Sequence, residues 1–186
     1  MKDKLNRKLT DLRISVTDRC NFRCRYCMPE ELYGEAYEFL KKDQVLSFEE
    51  IVRLTKIFIK LGVNKVRLTG GEPLVRKNIE TLISSISSLD ESVDLAMTTN
   101  GYLLNKFANI LFSSGLKRLT ISLDSLDNDI FQKMSGKKFN VDDVLMGISS
   151  AKKAGFKNIK INSVIKKGIN DEGIIDLVDY CKREGH

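Results

Sequence analysis

The sequence of 186 residues has one histidine, His186 at its last position, no tryptophan and two prolines. A single terminal histidine excludes a Ser-His-Asp triad, a Cys-His nucleophile pair and a histidine-rich zinc site. No run of about 18 apolar residues occurs, so no membrane-spanning helix is expected. The first residues, Met-Lys-Asp-Lys-Leu-Asn-Arg-Lys, lack the apolar stretch of a signal peptide. A cytoplasmic protein with no membrane partner is the expectation. There is also no dense basic run: 31 Lys and Arg against 25 Asp and Glu give a net charge of +6 spread along the chain. That balance predicts no nucleic-acid partner and permits a small anionic substrate. Four cysteines are too few and too clustered for a disulfide framework, since three of them fall within eight residues.

What the sequence does contain is an alternation of short strand-like and amphipathic helix-like runs. Strands are predicted at Leu12–Val16, Lys65–Thr69, Val93–Thr98, Lys117–Leu123 and Asn158–Ile165. One intervening helix carries Ile51, Leu54, Ile57, Phe58 and Leu61, opened by a Ser47/Glu50 capping box and closed by Gly62. Others carry Ile79, Leu82, Ile83 and Ile86, then Leu104, Phe107, Ile110 and Leu111. A fourth, with Asn140 as N-cap, carries Val141, Val144, Leu145 and Ile148. The last carries Ile174, Leu177, Val178 and Cys181. The alternation argues for an α/β fold with a parallel sheet.

The strands themselves choose between two architectures. A sheet covered by helices on both faces reads as continuous apolar runs. Here apolar Leu12, Ile14 and Val16 alternate with Arg13, Ser15 and Thr17, and Leu119, Ile121 and Leu123 with Thr120, Ser122 and Asp124. Helices therefore cover one face, and the other is polar. A closed eight-stranded barrel fills its interior with aliphatic side chains, so a partial, open TIM-like barrel with a polar concave side is predicted. Five strand–helix units in one domain, 1–186, would leave a strand edge unpaired, and a truncated barrel is the expectation.

Cys20, Cys24 and Cys27 follow the first strand in a Cys-x3-Cys-x2-Cys spacing. Structural zinc sites and ordinary ferredoxin clusters take four ligands. The remaining cysteine, Cys181, lies at helix spacing among apolar residues, which predicts burial rather than ligation. Three thiolates without a fourth point to an iron–sulfur cluster with one iron open to a small molecule. A non-catalytic module with structural zinc stands as the alternative.

On the polar face, Arg13, Arg67 and Lys160 come from three different strands. Unpaired buried cations are costly, so they call for acidic partners or an anionic ligand. Asp94 and Asp124 could supply the first. No P-loop is present to hold a phosphate by its backbone.

The block at 11–29, including Cys-Asn-Phe-Arg-Cys-Arg-Tyr-Cys at 20–27, resembles the MoaA family of radical S-adenosylmethionine (SAM) enzymes. The resemblance continues through Arg-Leu-Thr-Gly-Gly-Glu-Pro-Leu (67–74), Thr-Thr-Asn-Gly (98–101), Ile-Ser-Leu-Asp (121–124) and Lys-Ile-Asn (160–162). It implies a lyase, a GTP 3',8-cyclase, that converts GTP to (8S)-3',8-cyclo-7,8-dihydroguanosine 5'-triphosphate through a 5'-deoxyadenosyl radical. That is the first step of molybdenum cofactor biosynthesis. A peptide-modifying radical SAM relative is the rival within the superfamily.

The resemblance also implies roles. Cys20, Cys24 and Cys27 would hold a [4Fe-4S] cluster whose open iron takes SAM. Tyr26, Gly71 and Ser122 match SAM-contacting positions, and Arg13, Arg67, Thr98 and Lys160 match GTP-contacting ones. The Gly70-Gly71 pair is expected to let a ligand approach the backbone closely. Implied partners are GTP, an electron donor such as flavodoxin or ferredoxin, and cyclic pyranopterin monophosphate synthase as recipient of the product, with a homodimer as a further implication. The family's second, C-terminal [4Fe-4S] cluster is expected only in a full-length protein.

Overall fold

A computed structural model describes residues 2–186. Its centre is one five-stranded parallel sheet: β1 (Asp11–Ser15), β2 (Lys65–Thr69), β3 (Asp94–Thr99), β4 (Arg118–Ser122) and β5 (Ile159–Asn162). The strands lie in sequential order, β1 to β5, with no reversal. A doubly wound sheet reverses its order at a switch point and places helices on both faces. A sequential order keeps successive crossovers on one side, as in part of a barrel. The polar face predicted from the alternation is therefore left uncovered by the fold's own helices.

Among the described residues, seven helices accompany the strands: α1 (Glu30–Tyr33), α2 (Phe48–Lys60), α3 (Ile79–Ser87), α4 (Leu104–Ser113), α5 (Asn128–Ser135), α6 (Val141–Ala154) and α7 (Ile174–Glu184). The core lies between them and the sheet. Val66, Leu68, Leu95, Met97, Leu119 and Ile121 from the strands are buried against Ile79, Leu82, Ile83 and Ile86 of α3 and Leu104 and Leu111 of α4. The predicted caps are present. Ser47 Oγ accepts from Glu50 N–H while Glu50 returns its carboxylate to Ser47 N–H, and Asn140 caps α6 through Asp142 N–H.

Three expectations differ from the structure. In α2 Ile51 and Thr55 are buried and Phe58 packs against the core, whereas Leu54, Ile57 and Leu61 are exposed. Thr55 is hidden because its hydroxyl donates to Ile51 C=O at 2.8 Å, so a polar residue occupies an apolar position. Cys181 is half-buried on α7, beside an exposed Val178. The apolar pattern also gives no sign of α5, a short polar helix that buries only Phe131, Met134 and Ser135. Its C-terminal end matters for the site.

Candidate functional site: a three-cysteine cavity above a basic sheet face

The cysteine loop sits at the C-terminal ends of the strands, held there by backbone contacts. Val16 N–H donates to Thr69 C=O, Gly71 N–H to Thr17 C=O at 2.7 Å, and Glu72 N–H to Arg19 C=O at 2.8 Å. A Cβ on Gly71 would lie 2.2 Å from Arg19 O, and one on Gly70 2.5 Å from Thr17 O. The glycines are required where the cysteine loop packs on them, and Gly71 also lines the cavity described next. The same device recurs where α5 ends. Arg23 N–H donates to Ser135 C=O, and Gly136, at φ +67°, leaves room for Arg23 O, 2.1 Å from where a Cβ would stand.

Cys20, Cys24 and Cys27 line one cavity together with Tyr26, Gly71, Thr98, Asn100 and Ser122. Cys20 and Cys24 are half-buried and Cys27 is exposed. Burial, followed by the neighbouring Cys20 and Asp124, pushes the Cys24 thiol up to about 12, and burial raises Cys20 as well. The free Cys20 and Cys24 thiols therefore stay protonated at neutral pH, so ligation by them must displace protons. Cys181 lies on α7 and is not part of this cavity. Among the described residues no three His, Cys, Asp or Glu side chains converge as a single metal ion needs. The structural zinc alternative needs a fourth ligand, and the remaining cysteine, Cys181, lies elsewhere on α7. Three thiols spread around one cavity fit the corners of a larger iron–sulfur cluster, and Cys20, Cys24 and Cys27 are the residues that would hold it.

Around the cavity, Tyr26 donates its hydroxyl to Asp124 Oδ2 at 2.6 Å, tying the loop to the segment that follows β4. Burial and this bond raise the Tyr26 phenol, and burial raises Asp124 against the opposing effect of its two donors. Glu72 is buried and accepts from Leu74 N–H, Thr99 Oγ1 and Asn100 N–H at 2.7–3.0 Å. Removal from water outweighs those donors and pushes its carboxyl up to about 7. In the sequence, Glu72 and Asn100 stand out only as parts of motifs. Their role as a knot between the Gly-Gly turn and β3 depends on contacts 27 and 28 residues apart, which no local pattern reveals.

Below the cavity the concave face is basic. Arg13 and Arg67 are register partners on β1 and β2, and Arg118 lies level with them on β4, across Ala96 of β3. Thr98, Thr120 and Lys160 form the next level. Arg67 donates to Thr98 Oγ1 at 3.2 Å and Thr120 Oγ1 at 2.8 Å, so it links a lower depression, lined by Arg13, Arg67, Asp94 and Arg118, to the cysteine cavity through Thr98. Lys160 adjoins Thr120 and lines neither. Asp94 pairs with Arg118, Nε to Oδ1 at 2.7 Å, and Asp124 is engaged by Tyr26 and Val164 N–H. Neither acid reaches Arg13, Arg67 or Lys160, which corrects the structural alternative for those cations. Arg13 and Lys160 are also not buried. The cost of burial therefore does not explain them; their convergence on an open face does.

Known proteins resemble the chain along nearly its whole length. The chain is 51% identical over 182 residues to a GTP 3',8-cyclase of Staphylococcus haemolyticus, covering 98% of this chain and 53% of that protein. It is 47% identical over 186 residues to one from Acidothermus cellulolyticus, covering 100% of this chain and 51% of that one. The chain spans about half the length of the curated relatives it matches. Among solved structures, Streptococcus suis SuiB bound to S-adenosylmethionine superposes with a TM-score of 0.75 at 26% identity, over 92% of this chain and 37% of that one. The hydrogenase maturase HydG, at 15% identity and TM-score 0.71, shares the fold. No helix among the described residues is long and apolar enough to cross a membrane. The radical SAM superfamily model matches residues 14–181, and the chain belongs to that superfamily.

Proposed function

We propose that this chain forms the SAM- and cluster-binding part of a GTP 3',8-cyclase. Its strongest support is the pairing of three cysteines around one cavity with Arg13, Arg67 and Lys160 on the sheet face beneath it, three cations outside the ion pairs that Arg118 and Lys65 make on that face. Identity of 46–51% to GTP 3',8-cyclases along nearly the whole chain supports the same reading. Cys20, Cys24 and Cys27 hold a [4Fe-4S] cluster that, when bound, supplies the electron for reductive cleavage of SAM. Tyr26, Gly71 and Ser122, at the cavity wall, orient SAM. Arg13, Arg67 and Lys160 bind the triphosphate through charge-assisted hydrogen bonds, for which guanidinium groups are well shaped. Thr98, already bonded to Arg67, positions the nucleotide between the two levels and so brings the reacting carbon within reach of the cavity. A low-potential donor protein, a cytoplasmic setting and a consuming synthase belong to the same reading, as properties of the whole enzyme.

The test is anaerobic loading with iron and sulfide, then measurement of 5'-deoxyadenosine with GTP present and absent. GTP-stimulated formation with a cyclised nucleotide product is expected from the full-length protein. SAM cleavage indifferent to GTP, with no cyclised nucleotide, would overturn the substrate. It would favour a peptide instead, the partner seen in the structure of SuiB bound to precursor peptide SuiA, to which the chain is 26% identical.

A further inference from the structure

Where β3 meets the cysteine loop, two asparagines form an arrangement that the roles above do not use. Asn100 is fixed twice: its backbone N–H donates to Glu72 Oε2 at 2.7 Å, and its Oδ1 accepts from Tyr102 N–H at 3.1 Å. With Oδ1 committed to a backbone donor, its amide has one orientation, and Nδ2 points away from Tyr102. Nδ2 donates to Asn21 Oδ1 at 2.7 Å and lies 4.0 Å from Cys20 Sγ. The orientation of Asn21 follows in turn. Its oxygen faces Asn100, and its own Nδ2 is buried with no partner among the described residues.

A buried donor without a partner is costly, because it has given up its bond to water for nothing. Turning the Asn21 amide over would set one NH2 group against another, and turning both would abandon Tyr102 N–H. The pair is therefore not arranged for stability alone, and unsatisfied groups of this kind call for a reason. What the arrangement achieves is an amide donor held toward one sulfur. Cys20 Sγ also receives Phe22 N–H at 3.4 Å, so two N–H groups from different parts of the chain meet there.

We propose that Asn100 is a positioning residue that donates a hydrogen bond to the Cys20 sulfur, and that Asn21 holds the Asn100 amide in the required orientation. The proposal rests on the cluster assignment made above. At 4.0 Å the contact is at the outer limit for a thiol; a ligating thiolate, carrying charge, draws the donor closer. Hydrogen bonds to cluster sulfurs stabilise the more negative, reduced state and so raise the reduction potential. Asn100 would thus set how readily the cluster takes its electron.

The test uses the chain loaded with iron and sulfide, without SAM or GTP, in a redox titration followed by electron paramagnetic resonance. Asn100→Leu and Asn100→Asp should take up iron as the parent does and shift the midpoint potential to more negative values. Asp keeps the acceptor for Tyr102 N–H, so that shift would not come from a disturbed turn. Pulsed measurements on parent protein carrying asparagine labelled with 15N at the side-chain amide should show a coupling to the reduced cluster. The coupling should vanish in Asn100→Asp. Its absence from the parent, its survival in Asn100→Asp, or an unshifted potential at equal iron content each overturns the proposal. If neither variant loads, the coupling in the parent decides. A parent chain that forms no cluster overturns the cluster assignment as well, and is told apart by its iron content.

Discussion

The two ends of the concave face are built in opposite ways. At the top, around the cysteines, backbone packs on backbone: Gly70, Gly71 and Gly136 leave room for the carbonyls of Thr17, Arg19 and Arg23, and Glu72 gathers three donors in a buried knot. Below, the basic level consists of side chains standing on strands, and Arg13 and Lys160 reach solvent there without an acid beside them among the described residues. A site for a cofactor with fixed ligand geometry needs a rigid frame. A site for a flexible polyanion needs charge and reach. Substitutions should therefore cost stability or cofactor at the top and chiefly affinity below.

The largest effect is expected from the cysteines. Cys24→Ala should abolish cluster formation and reduce SAM cleavage to background, read as iron content and 5'-deoxyadenosine. The apoprotein should fold nearly as well as the parent, because Cys24 is only partly buried at the edge of the core, with its thiol facing the cavity. Retained iron at parental levels would break the assignment of the three ligands.

Next comes the frame. Gly71→Ala places a methyl 2.2 Å from Arg19 O, where backbone must move, and a cost of about 1–3 kcal/mol is expected for such overpacking. Thermal denaturation of the apoprotein measures it. A variant with parental stability would show that the cysteine loop is not held by this contact, and the contrast between the two ends would weaken.

Much of this frame is legible in the sequence, and the exceptions have physical causes. Each strand can be located to within a few residues because the sheet has one covered face and its alternation survives in β1 and most of β2, although in β4 Thr120 is buried along with Leu119 and Ile121. Ser47 and Asn140 announce their helices because N-caps are local chemistry. The stripe of α2 misleads because Thr55 is buried by a bond to its own helix, while Leu54 and Ile57 face outward. α5 escapes notice because Phe131 and Met134 give too short an apolar pattern amid Asn, Asp, Gln and Lys. In the site, cysteine spacing points to the ligands and strand parity to Arg13, Arg67 and Lys160. The partner of Arg118, the donors on Glu72 and the orientation of Asn100 depend on register between strands, which the sequence does not carry.

Glu72 offers a pH-dependent measure of the rigid end. Its carboxyl rises from 4.5 to about 7 in the folded chain, so the folded state binds that proton more tightly than the unfolded one. Its stabilising contribution is complete below about 4.5 and is lost as pH rises to about 7, after which it levels off. The loss is on the order of a few kcal/mol, since each tenfold change in proton affinity is worth about 1.4 kcal/mol. Denaturant titrations from about pH 4.5 to about pH 8 should show this slope. Glu72→Gln should flatten it while lowering stability throughout, since an amide cannot accept from all three donors.

The smallest effect distinguishes cations that look alike in the sequence. Arg13, Arg67 and Arg118 lie at one level of the sheet, yet Arg118 is committed to Asp94 while Arg67 faces only hydroxyls. Loss of a charge-assisted bond to a ligand is worth about 1.5–3 kcal/mol, so Arg67→Ala should weaken GTP binding by roughly tenfold or more. Arg118→Ala removes a partly exposed ion pair and should cost about 1 kcal/mol of stability or less. Its effect on GTP should be smaller than that of Arg67→Ala, because a guanidinium already paired with a carboxylate has less charge to offer a phosphate. Equal losses in the two variants, measured by equilibrium dialysis of GTP, would mean that the polyanion breaks the Asp94 pair on binding. The basic face would then act through its total charge rather than through particular side chains, and its contrast with the rigid cysteine end would be sharper still.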